Sequence, residues 1–310
     1  MRVVVLMSTY KGEPWVREQV ASILAQLPAD GRLLIRDDGS PDATVDAIRG
    51  IADARLALTC GQNIGFVRSF LALLAQVPPD AEMVMFSDQD DVWLPEKVAR
   101  AWAAIGESGS IPTLYCSRLQ LVDTQLRPLG LSTDWPRPPS FENALAENVV
   151  TGCTAALNPA AVQLLREHGD VERIHFHDWW FYLVVAAFGR VVFDAQPTIL
   201  YRQHGGNAIG MGSGPLRYWT ILRFLRRHDW VHILFDQVEN LRRTHGERLS
   251  PAQRAFIDRF FDPHDRRAVL RLLLAPRRHR QRWTDDVLLR LLIAWQLASG
   301  RGLLPRRPAR

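Results

Sequence analysis

The feature that most constrains the fold of this chain is the alternation, through its first half, of short apolar segments with longer amphipathic ones. Residues 3–7, 33–35 and 83–86 form apolar runs of strand length, which is typical of strands that are covered on both faces. Between these runs, apolar residues recur at three- and four-residue spacing in 16–27 and 66–76, which predicts amphipathic helices. This alternation predicts an α/β fold with a mostly parallel sheet flanked by helices.

In the middle of the chain the alternation becomes irregular. Residues 114–122 predict a further strand, 178–188 a helix, and 191–193 and 199–201 two short strands. From residue 216 onward the apolar spacing is helical and arginine is abundant. The sequence therefore predicts a sheet-based first part followed by an arginine-rich helical region.

Polar residues follow three of the predicted strands. Ser8 and Thr9 follow the first strand, Asp37 and Asp38 follow the second, and 87–91 follow the last. In an open parallel sheet, ligands bind outside the carboxyl ends of the strands, so we expect the three clusters to line one crevice. Each of the first two clusters alone is better explained as a turn, because Asp-Gly-Ser is a common turn sequence. Their coincidence with the third favours a binding site.

The third cluster places Asp88, Asp90 and Asp91 within four residues, directly after an apolar strand. So much like charge at a buried sheet edge is costly unless a cation neutralises it. Oxygen ligands suit Mg²⁺ or Mn²⁺, which typically link carboxylates to substrate phosphates. The alternative is a solvated acidic turn at the start of the next helix. The neighbouring Phe86 and Trp93 weigh against full solvation.

The charge of the chain is unevenly distributed. Residues 1–214 hold 17 Lys and Arg against 24 Asp and Glu, whereas residues 215–310 hold 21 against 9. Lys11 and Lys97 are the only lysines. A mildly acidic body with a basic tail indicates chemistry in the body and an anionic surface as the partner of the tail.

Three interpretations of the basic tail remain open. Arginines interleave with apolar residues throughout 216–310, and 287–295 is strongly apolar, which suits helices lying on an anionic membrane surface. Alternatively, the tail is a helical lobe packed on the body with a solvated arginine face, or it forms a homodimer through 287–295. No nucleic acid partner is expected, because no nucleic-acid-binding module matches.

The cysteines and the lengths of the apolar runs indicate the cellular compartment of the protein. The three cysteines form neither a C-x-x-C pair nor an even-numbered framework, which indicates a reducing compartment. The apolar run at the N-terminus is too short for a signal peptide, and no run approaches the roughly 18 residues of a membrane-spanning helix. We expect a cytoplasmic protein, held peripherally at the inner face of the cytoplasmic membrane if the tail binds lipid.

Four motifs, taken in order, resemble the family 2 glycosyltransferases with a GT-A fold. They are Ser8-Thr9-Tyr10, Asp37-Asp38-Gly39-Ser40, Gln62-Asn63-Ile64-Gly65 and Phe86-Ser87-Asp88-Gln89-Asp90-Asp91. The resemblance covers roughly residues 1–210 and implies a catalytic domain over 1–212 and a helical region over 213–310. Within the family, Asp-Gln-Asp-Asp-Val-Trp and His177-Asp178-Trp179-Trp180 are most similar to the bacterial rhamnosyltransferase branch.

The resemblance implies a site for a nucleotide-diphosphate sugar donor. Asp38 matches the residue that hydrogen-bonds the pyrimidine, and Ser8 and Thr9 match positions beside the base and the ribose. Asp88 would lie near the ribose and the sugar. Arg68 matches a position near the sugar-phosphate portion, although an ordinary exposed helix arginine explains it equally well.

The resemblance also implies a metal site for Mg²⁺ or Mn²⁺. Asp90 matches the metal ligand of the Asp-x-Asp motif, and Gln89 within that motif is placed with the donor-binding residues. His204 aligns with a late histidine that completes the metal site in many relatives, although a lone histidine is more often a packing or surface residue. Asp91 is an additional candidate.

Asp178 is the candidate general base. Its neighbours Trp179 and Trp180 would partly desolvate it and so raise its affinity for a proton. A plain helix N-cap is the alternative for such a residue. His175 and His177 are expected at most to support Asp178.

The implied reaction is a direct displacement at the anomeric carbon with inversion. The sugar, with rhamnose from dTDP-rhamnose as the first candidate, would pass to a growing bacterial surface glycan or a lipid-linked saccharide. The glycine-rich segment 205–214 would close over the donor and exclude water. The alternatives are another donor, such as a UDP-hexose, and an inactive relative that binds a membrane or RNA through the tail.

Two other enzyme classes fit the sequence less well. A nucleotidyltransferase needs a glycine-rich basic loop after the first strand, which the segment beginning at Ser8 does not provide. An oxidoreductase with a dinucleotide cofactor needs G-x-G-x-x-G after a strand, and none is present.

Overall fold

The computed structural model describes residues 1–205, 229–300 and 302–304. The strands are β1 (Val3–Thr9), β2 (Arg32–Asp37), β3 (Leu56–Cys60), β4 (Met83–Ser87), β5 (Val92–Trp93), β6 (Thr113–Val122), β7 (Pro128–Leu131), β8 (Ala156–Leu157) and β9 (Arg190–Arg202). The helices are α1 (Val16–Leu24), α2 (Thr44–Arg49), α3 (Phe66–Ala75), α4 (Lys97–Ile105), α5 (Phe141–Ala144), α6 (Pro159–Leu165), α7 (His177–Phe188), α8 (Trp230–His245), α9 (Pro251–Phe260), α10 (Arg266–Leu274) and α11 (Trp283–Ala298).

The first four long strands form the parallel half of one sheet, in the order β3-β2-β1-β4. In this register Val5 of β1 lies opposite Leu33 of β2 and Met85 of β4. All three side chains are buried, as expected for strands covered by helices on both faces. The predicted α/β fold is confirmed, and the parallel sheet is confirmed for this half.

The other half of the sheet is mixed, although most of the paired residues of the whole sheet run in parallel. The order continues β8-β6-β9-β5, in which only β6 and β9 pair in parallel. The two short strands predicted at 191–193 and 199–201 are one strand, β9. Its register shifts where Ser117 pairs with Asp194 and Arg118 pairs with Pro197. A bulge accommodates the extra residues beside this proline, so the strand continues through residues 194–198, which separate the two apolar segments.

Two hydrophobic cores lie on the two faces of the sheet. Alternate residues of β1 contribute to each, Val5 to one core and Leu6 to the other. The second of these cores also contains Phe235, Leu289 and Ile293 from the C-terminal helices. The junction of the two predicted regions, 1–212 and 213–310, lies outside the described residues. The helices from residue 230 onward nevertheless share a core with the sheet.

The sheet brings the three polar clusters to one edge. Thr9 at the end of β1 lies opposite Asp37 at the end of β2, and Met7 lies opposite Ser87 at the end of β4. The residues that follow these ends therefore face the same space, as the strand pattern predicts.

Candidate active site

A cavity of about 640 Å³ opens at the carboxyl ends of β1, β2 and β4. The residues with predicted roles that line it are Ser8, Asp38, Asp88, Gln89, Asp90, His177 and Asp178. The remaining wall is largely aromatic, with Phe66, Trp135 and Trp230 among its residues. The cavity thus combines a carboxylate-rich floor with an apolar wall.

Asp38 fixes the loop that precedes α3. Its carboxylate accepts hydrogen bonds from the backbone N–H of Ile64 at 2.9 Å and of Gly65 at 2.8 Å, and it forms an ion pair with Arg36. Gly65 has a φ of 80°, a conformation that favours glycine. Asp38 therefore shapes this side of the cavity as well as lining it.

Ser8 and Thr9 differ in where their hydroxyls point. Ser8 lines the cavity and donates a hydrogen bond to the Ser69 hydroxyl at 2.7 Å. Thr9 is buried and donates to Asp37 at 2.9 Å. Asp37 also accepts hydrogen bonds from the backbone N–H and the hydroxyl of Ser40, so Thr9 stabilises the turn and does not line the cavity.

Gln89 holds the loop that follows β1. Its carbonyl oxygen accepts a hydrogen bond from the backbone N–H of Tyr10 at 2.8 Å, and its amide donates to the Tyr10 carbonyl at 2.9 Å. A Cβ at Gly12 would lie 2.3 Å from Gln89 Oε1, so a larger residue there would have to displace the Gln89 side chain. The side chain has a positioning function besides its place in the cavity lining.

Burial raises the pKa values of two carboxyl groups in the acidic cluster. Burial, with Asp90 and Asp178 nearby, raises the pKa of Asp88 to about 7. Burial, with Asp90 and Asp88 nearby, raises the pKa of Asp91 well above its usual range. One oxygen of Asp91 accepts a hydrogen bond from the Arg202 backbone at 3.1 Å, whereas Oδ2 is buried without a hydrogen bond. Asp91 is buried and does not line the cavity.

His204 meets the cluster from the end of β9. Its Nε2 lies 2.7 Å from Asp90 Oδ2, although the two residues are 114 positions apart in the chain. Its ring stacks on Trp15 with centroids 4.3 Å apart, which fixes the orientation of the imidazole. The two residues predicted to share a metal are therefore neighbours.

The donor set fits a hard divalent cation. Ligand atoms of Asp88, Asp91 and Cys153 all lie within 4.8 Å of one another, and the unsatisfied Oδ2 of Asp91 is the buried oxygen that a nearby positive charge would stabilise. Burial raises the pKa of the Cys153 thiol well above its usual range, and sulfur is a soft ligand that Mg²⁺ and Mn²⁺ do not favour. Without the thiol this group offers two carboxylates, and the neighbouring pair of Asp90 and His204 offers a third carboxylate and an imidazole, ligands that suit Mg²⁺ or Mn²⁺.

Asp178 lies in the first turn of α7 and faces the cavity. Its carboxylate accepts hydrogen bonds from the backbone N–H of Trp179 at 2.7 Å and of Gly152 at 3.1 Å. Burial nevertheless raises the pKa of Asp178 to about 6. The N-cap of α7 is Phe176, so the alternative that Asp178 is a plain N-cap is wrong.

Neither nearby histidine hydrogen-bonds Asp178, contrary to the expected support. His175 lies with its Nε2 3.2 Å from a carboxylate oxygen of Asp236 in α8. His177 is buried against Phe70 with ring centroids 4.3 Å apart, and neither of its nitrogens has a hydrogen bond. Burial lowers the pKa of His177 to about 3, so the imidazole is neutral.

One predicted residue is not brought to the cavity, and one predicted segment lies almost wholly outside the described residues. Arg68 is about half exposed on α3 and forms an ion pair with Glu172, as expected of an ordinary surface arginine. Of the glycine-rich segment 205–214, only Gly205 is among the described residues.

A family model, described as glycosyl transferase family 2, matches residues 4–159. The match spans the parallel half of the sheet, the acidic cluster and the residues up to the start of α6. The chain belongs to glycosyltransferase family 2. The predicted family and enzyme class are thereby confirmed.

Among curated proteins, this glycosyltransferase is similar to the dTDP-rhamnosyl transferase RfbG of Shigella flexneri. The two are 27% identical over 230 residues, which cover 66% of this chain and 73% of the relative. The succinoglycan biosynthesis protein ExoW of Rhizobium meliloti is 32% identical over 108 residues, 34% of each chain. The rhamnosyltransferase resemblance is thereby confirmed as a similarity.

Solved structures confirm the GT-A fold of the glycosyltransferase. S. aureus TarS 1–349 in complex with UDP-GlcNAc superimposes with a TM-score of 0.57 at 17% identity, covering 97% of this chain and 93% of that one. The mannosyltransferase PcManGT of Pyrobaculum calidifontis, in complex with GDP-Man and Mn²⁺, gives 0.50 at 16% identity, covering 95% and 86%.

Two buried residues beside this glycosyltransferase site, Arg202 and Lys97, are not predicted from the sequence. The buried guanidinium of Arg202 donates hydrogen bonds to the backbone oxygens of Asp90 and Thr124 at 2.8 and 2.7 Å, and it pairs with Glu18. Lys97 is fully buried near Asp91, and burial lowers its pKa to about 8. Its rarity was the available signal, because Lys97 is one of two lysines among 38 basic residues.

Proposed function

We propose that this glycosyltransferase is metal-dependent and inverting, and that it moves rhamnose from dTDP-rhamnose to a surface glycan or a lipid-linked saccharide. The observation that carries the proposal is the arrangement of carboxylates around one cavity. Asp88 and Asp90 lie at the strand ends, whereas Asp178 enters from α7, oriented by the backbone N–H of Gly152. The arrangement supports one role for Asp88 and Asp90, on the donor side, and a separate role for Asp178 as the base.

The donor nucleotide belongs at the carboxyl ends of β1 and β2, where ligands of open α/β sheets bind. Asp38 and Ser8 line this part of the cavity, and Gln89 and Asp88 border it on the β4 side. Thr9 contributes through the turn that it stabilises with Asp37. We assign no donor contact to Arg68, because its guanidinium is paired with Glu172 at the surface.

Asp90 and His204 would hold the divalent cation, since their side chains already meet at 2.7 Å. When bound, Mg²⁺ or Mn²⁺ acts as a Lewis acid that stabilises the negative charge of a departing diphosphate. Asp91 supports the cluster from below, and the Arg202 backbone N–H and guanidinium hold Asp91 and the Asp90 carbonyl in place.

Asp178 acts as the general base in this proposal. An acceptor hydroxyl within hydrogen-bond reach of its carboxylate gives up its proton as its oxygen forms a bond to the anomeric carbon. The bond from that carbon to the diphosphate oxygen breaks on the opposite side, and its electron pair leaves with the diphosphate. Asp178 ends protonated, and the configuration at the anomeric carbon is inverted.

The acceptor would lie against the aromatic wall of the cavity. Trp135 is held by a hydrogen bond from its indole N–H to the Val149 carbonyl at 3.1 Å. Trp230 of α8 also lines the cavity and stacks on Trp179, with centroids 4.6 Å apart. Flat apolar side chains of this kind suit the faces of sugar rings.

A ligand panel tests the proposal on the full chain. Melting temperatures are measured with Mn²⁺ alone and with Mn²⁺ plus dTDP-rhamnose, UDP-GlcNAc, UDP-glucose or GDP-mannose. A donor at about 100 times its dissociation constant stabilises the native state by about 2.7 kcal/mol, so dTDP-rhamnose should give the largest rise. If only a UDP-hexose raised the melting temperature, the donor would be that UDP-hexose and not dTDP-rhamnose, while the reaction would still be glycosyl transfer.

Product analysis tests the stereochemistry. The new glycosidic bond should have the anomeric configuration opposite to that of the donor, as measured by NMR of the product. Retention of configuration would reject the single-displacement mechanism, and the absence of any donor-dependent shift would reject the proposed function.

A further inference from the structure

The last described helix, α11, exposes a row of apolar side chains. Trp283, Val287 and Leu291 follow one another at four-residue spacing and are 51%, 49% and 62% exposed. Residues spaced by four lie on one face of a helix. Trp295 occupies the next position of the row. A run of large exposed apolar side chains on one face indicates an interaction surface.

The preceding helix, α10, presents a face of mixed character. Leu270 and Leu274 are 53% and 79% exposed, and Arg267 and Arg271 are exposed on the same face by their three- and four-residue spacing. The other side of α10 is buried in the core through Val269 and Leu272, so this helix is amphipathic.

The two helices are fastened together. The guanidinium of Arg290 in α11 donates hydrogen bonds to the backbone carbonyls of Leu273 at 3.2 Å and Ala275 at 2.6 Å. Leu274, at the end of α10, therefore lies between the two residues that the Arg290 side chain contacts, and Arg290 is next to Leu291 in the chain. We call the exposed side chains of α10 and α11 the α10–α11 face; it comprises Leu270, Leu274, Trp283, Val287 and Leu291 with Arg267 and Arg271.

The exposed charges on the two helices have one sign. In the part of the chain that the structure describes, Arg266, Arg267, Arg271, Arg277 and Arg282 are exposed and have no ion pair. The two acidic residues of α11, Asp285 and Asp286, are buried. The face therefore offers apolar side chains and positive charge with no exposed acidic residue on either helix.

We infer that the α10–α11 face docks on an anionic phospholipid bilayer. Apolar side chains enter the headgroup boundary while neighbouring arginines pair with lipid phosphates. A second copy of the chain fits less well, because a two-fold contact would set this arginine-bordered patch against itself. No helix among residues 1–205, 229–300 and 302–304 is long and apolar enough to cross a membrane. The inference does not depend on which sugar is transferred.

The experiment is co-sedimentation of the full chain with vesicles of phosphatidylcholine, with and without phosphatidylglycerol. We expect binding only to the vesicles that contain phosphatidylglycerol, and weaker binding at high salt. The double variants Val287→Glu/Leu291→Glu and Arg267→Glu/Arg271→Glu should each reduce affinity about tenfold or more. If the first fails to fold by circular dichroism, Val287→Ser/Leu291→Ser replaces it.

The matched controls are Leu129→Glu on β7, whose side chain is 52% exposed, and Arg49→Glu on α2, which is 66% exposed. Both should bind vesicles as the parent chain does. The inference is overturned if the parent chain ignores anionic vesicles, if it binds neutral vesicles equally, or if the face variants bind unchanged. A dimer seen by light scattering that Leu291→Glu dissociates, without lipid binding, would assign the face to a second copy instead.

Discussion

The cavity and the α10–α11 face depart from the usual distribution of residues in opposite directions. In the cavity region, Asp91 is fully buried and the pKa of Asp88 is raised to about 7 by burial and its acidic neighbours. On the α10–α11 face, Leu274 and Leu291 are exposed while the helices' acidic residues are hidden. Ionising a buried carboxyl group and exposing apolar surface both cost free energy in the isolated chain. Each departure therefore indicates a binding partner of complementary character.

The two regions also differ in how firmly their side chains are held. The cavity is defined by side chains held in place by many hydrogen bonds, such as those of Gln89 and Asp38. The α10–α11 face is defined by position and exposure alone. The cavity residues should accordingly be sensitive to single conservative changes, whereas the face should need double changes.

The sharpest test of the cavity is Asp178→Asn. The amide keeps the size of the side chain but cannot accept a proton, so transfer should fall about 10²- to 10⁴-fold. The measurement is kcat for transfer with saturating donor. The control Asp46→Asn changes a carboxylate that is 84% exposed and should leave the rate unchanged. Near-normal transfer by Asp178→Asn would remove Asp178 from the proposed role.

Asp90→Ala should reduce transfer about 100-fold or more and also abolish the rise in melting temperature that Mn²⁺ produces, because it removes the ligand beside His204. Asp178→Asn should keep that rise. Calorimetric titration with Mn²⁺ distinguishes the two variants, and equal Mn²⁺ affinity in Asp90→Ala and the parent chain contradicts the assigned ligand.

The pH dependence of transfer sharpens the comparison further. Asp178 must be deprotonated to act as a base, and its pKa is about 6. Below pH 6, kcat/KM should fall about tenfold per pH unit, since each unit removes nine-tenths of the active form. A profile that stays level down to pH 4.5 would show that the base has an ordinary, solvated pKa.

The smallest expected effect concerns stability. The unfolded chain protonates His177 near its ordinary pKa of about 6.5, whereas the folded chain does so only near 3. Between these values the unfolded state binds the extra proton, so the free energy of unfolding falls by about 1.4 kcal/mol per unit as pH falls. His177→Phe should lose this contribution in urea titrations at pH 4 to 7.

The control for that measurement is His264→Phe, because His264 is exposed. This variant should keep the pH dependence of the parent chain. Parallel pH dependence in His177→Phe and the parent would mean that the imidazole is hydrated and free to ionise in the folded protein.

Much of the parallel half was predictable because its signals are local. The apolar run of β1 followed by Ser8, and that of β4 followed by Asp88, place both clusters at one sheet edge once parallel pairing is assumed. The resemblance to the family predicts a metal site that includes His204, and the structure places His204 beside Asp90.

The rest depends on contacts between distant segments. Nothing near Pro197 reveals that a bulge keeps β9 continuous, and nothing near Arg202 reveals that its guanidinium is buried under Asp90. Likewise, an isolated His177 gives no sign of its stacking on Phe70. Such features arise from tertiary packing, which overrides the local pattern.

The indole of Trp230 has a practical consequence for anyone who shortens this enzyme. It forms part of the cavity wall, and Phe235, five residues later, fills the core beneath α7. A truncation at residue 212 would therefore remove part of the cavity wall and expose apolar core residues beside the sheet to solvent. The sheet and the helices from α8 onward should therefore be expressed and engineered together.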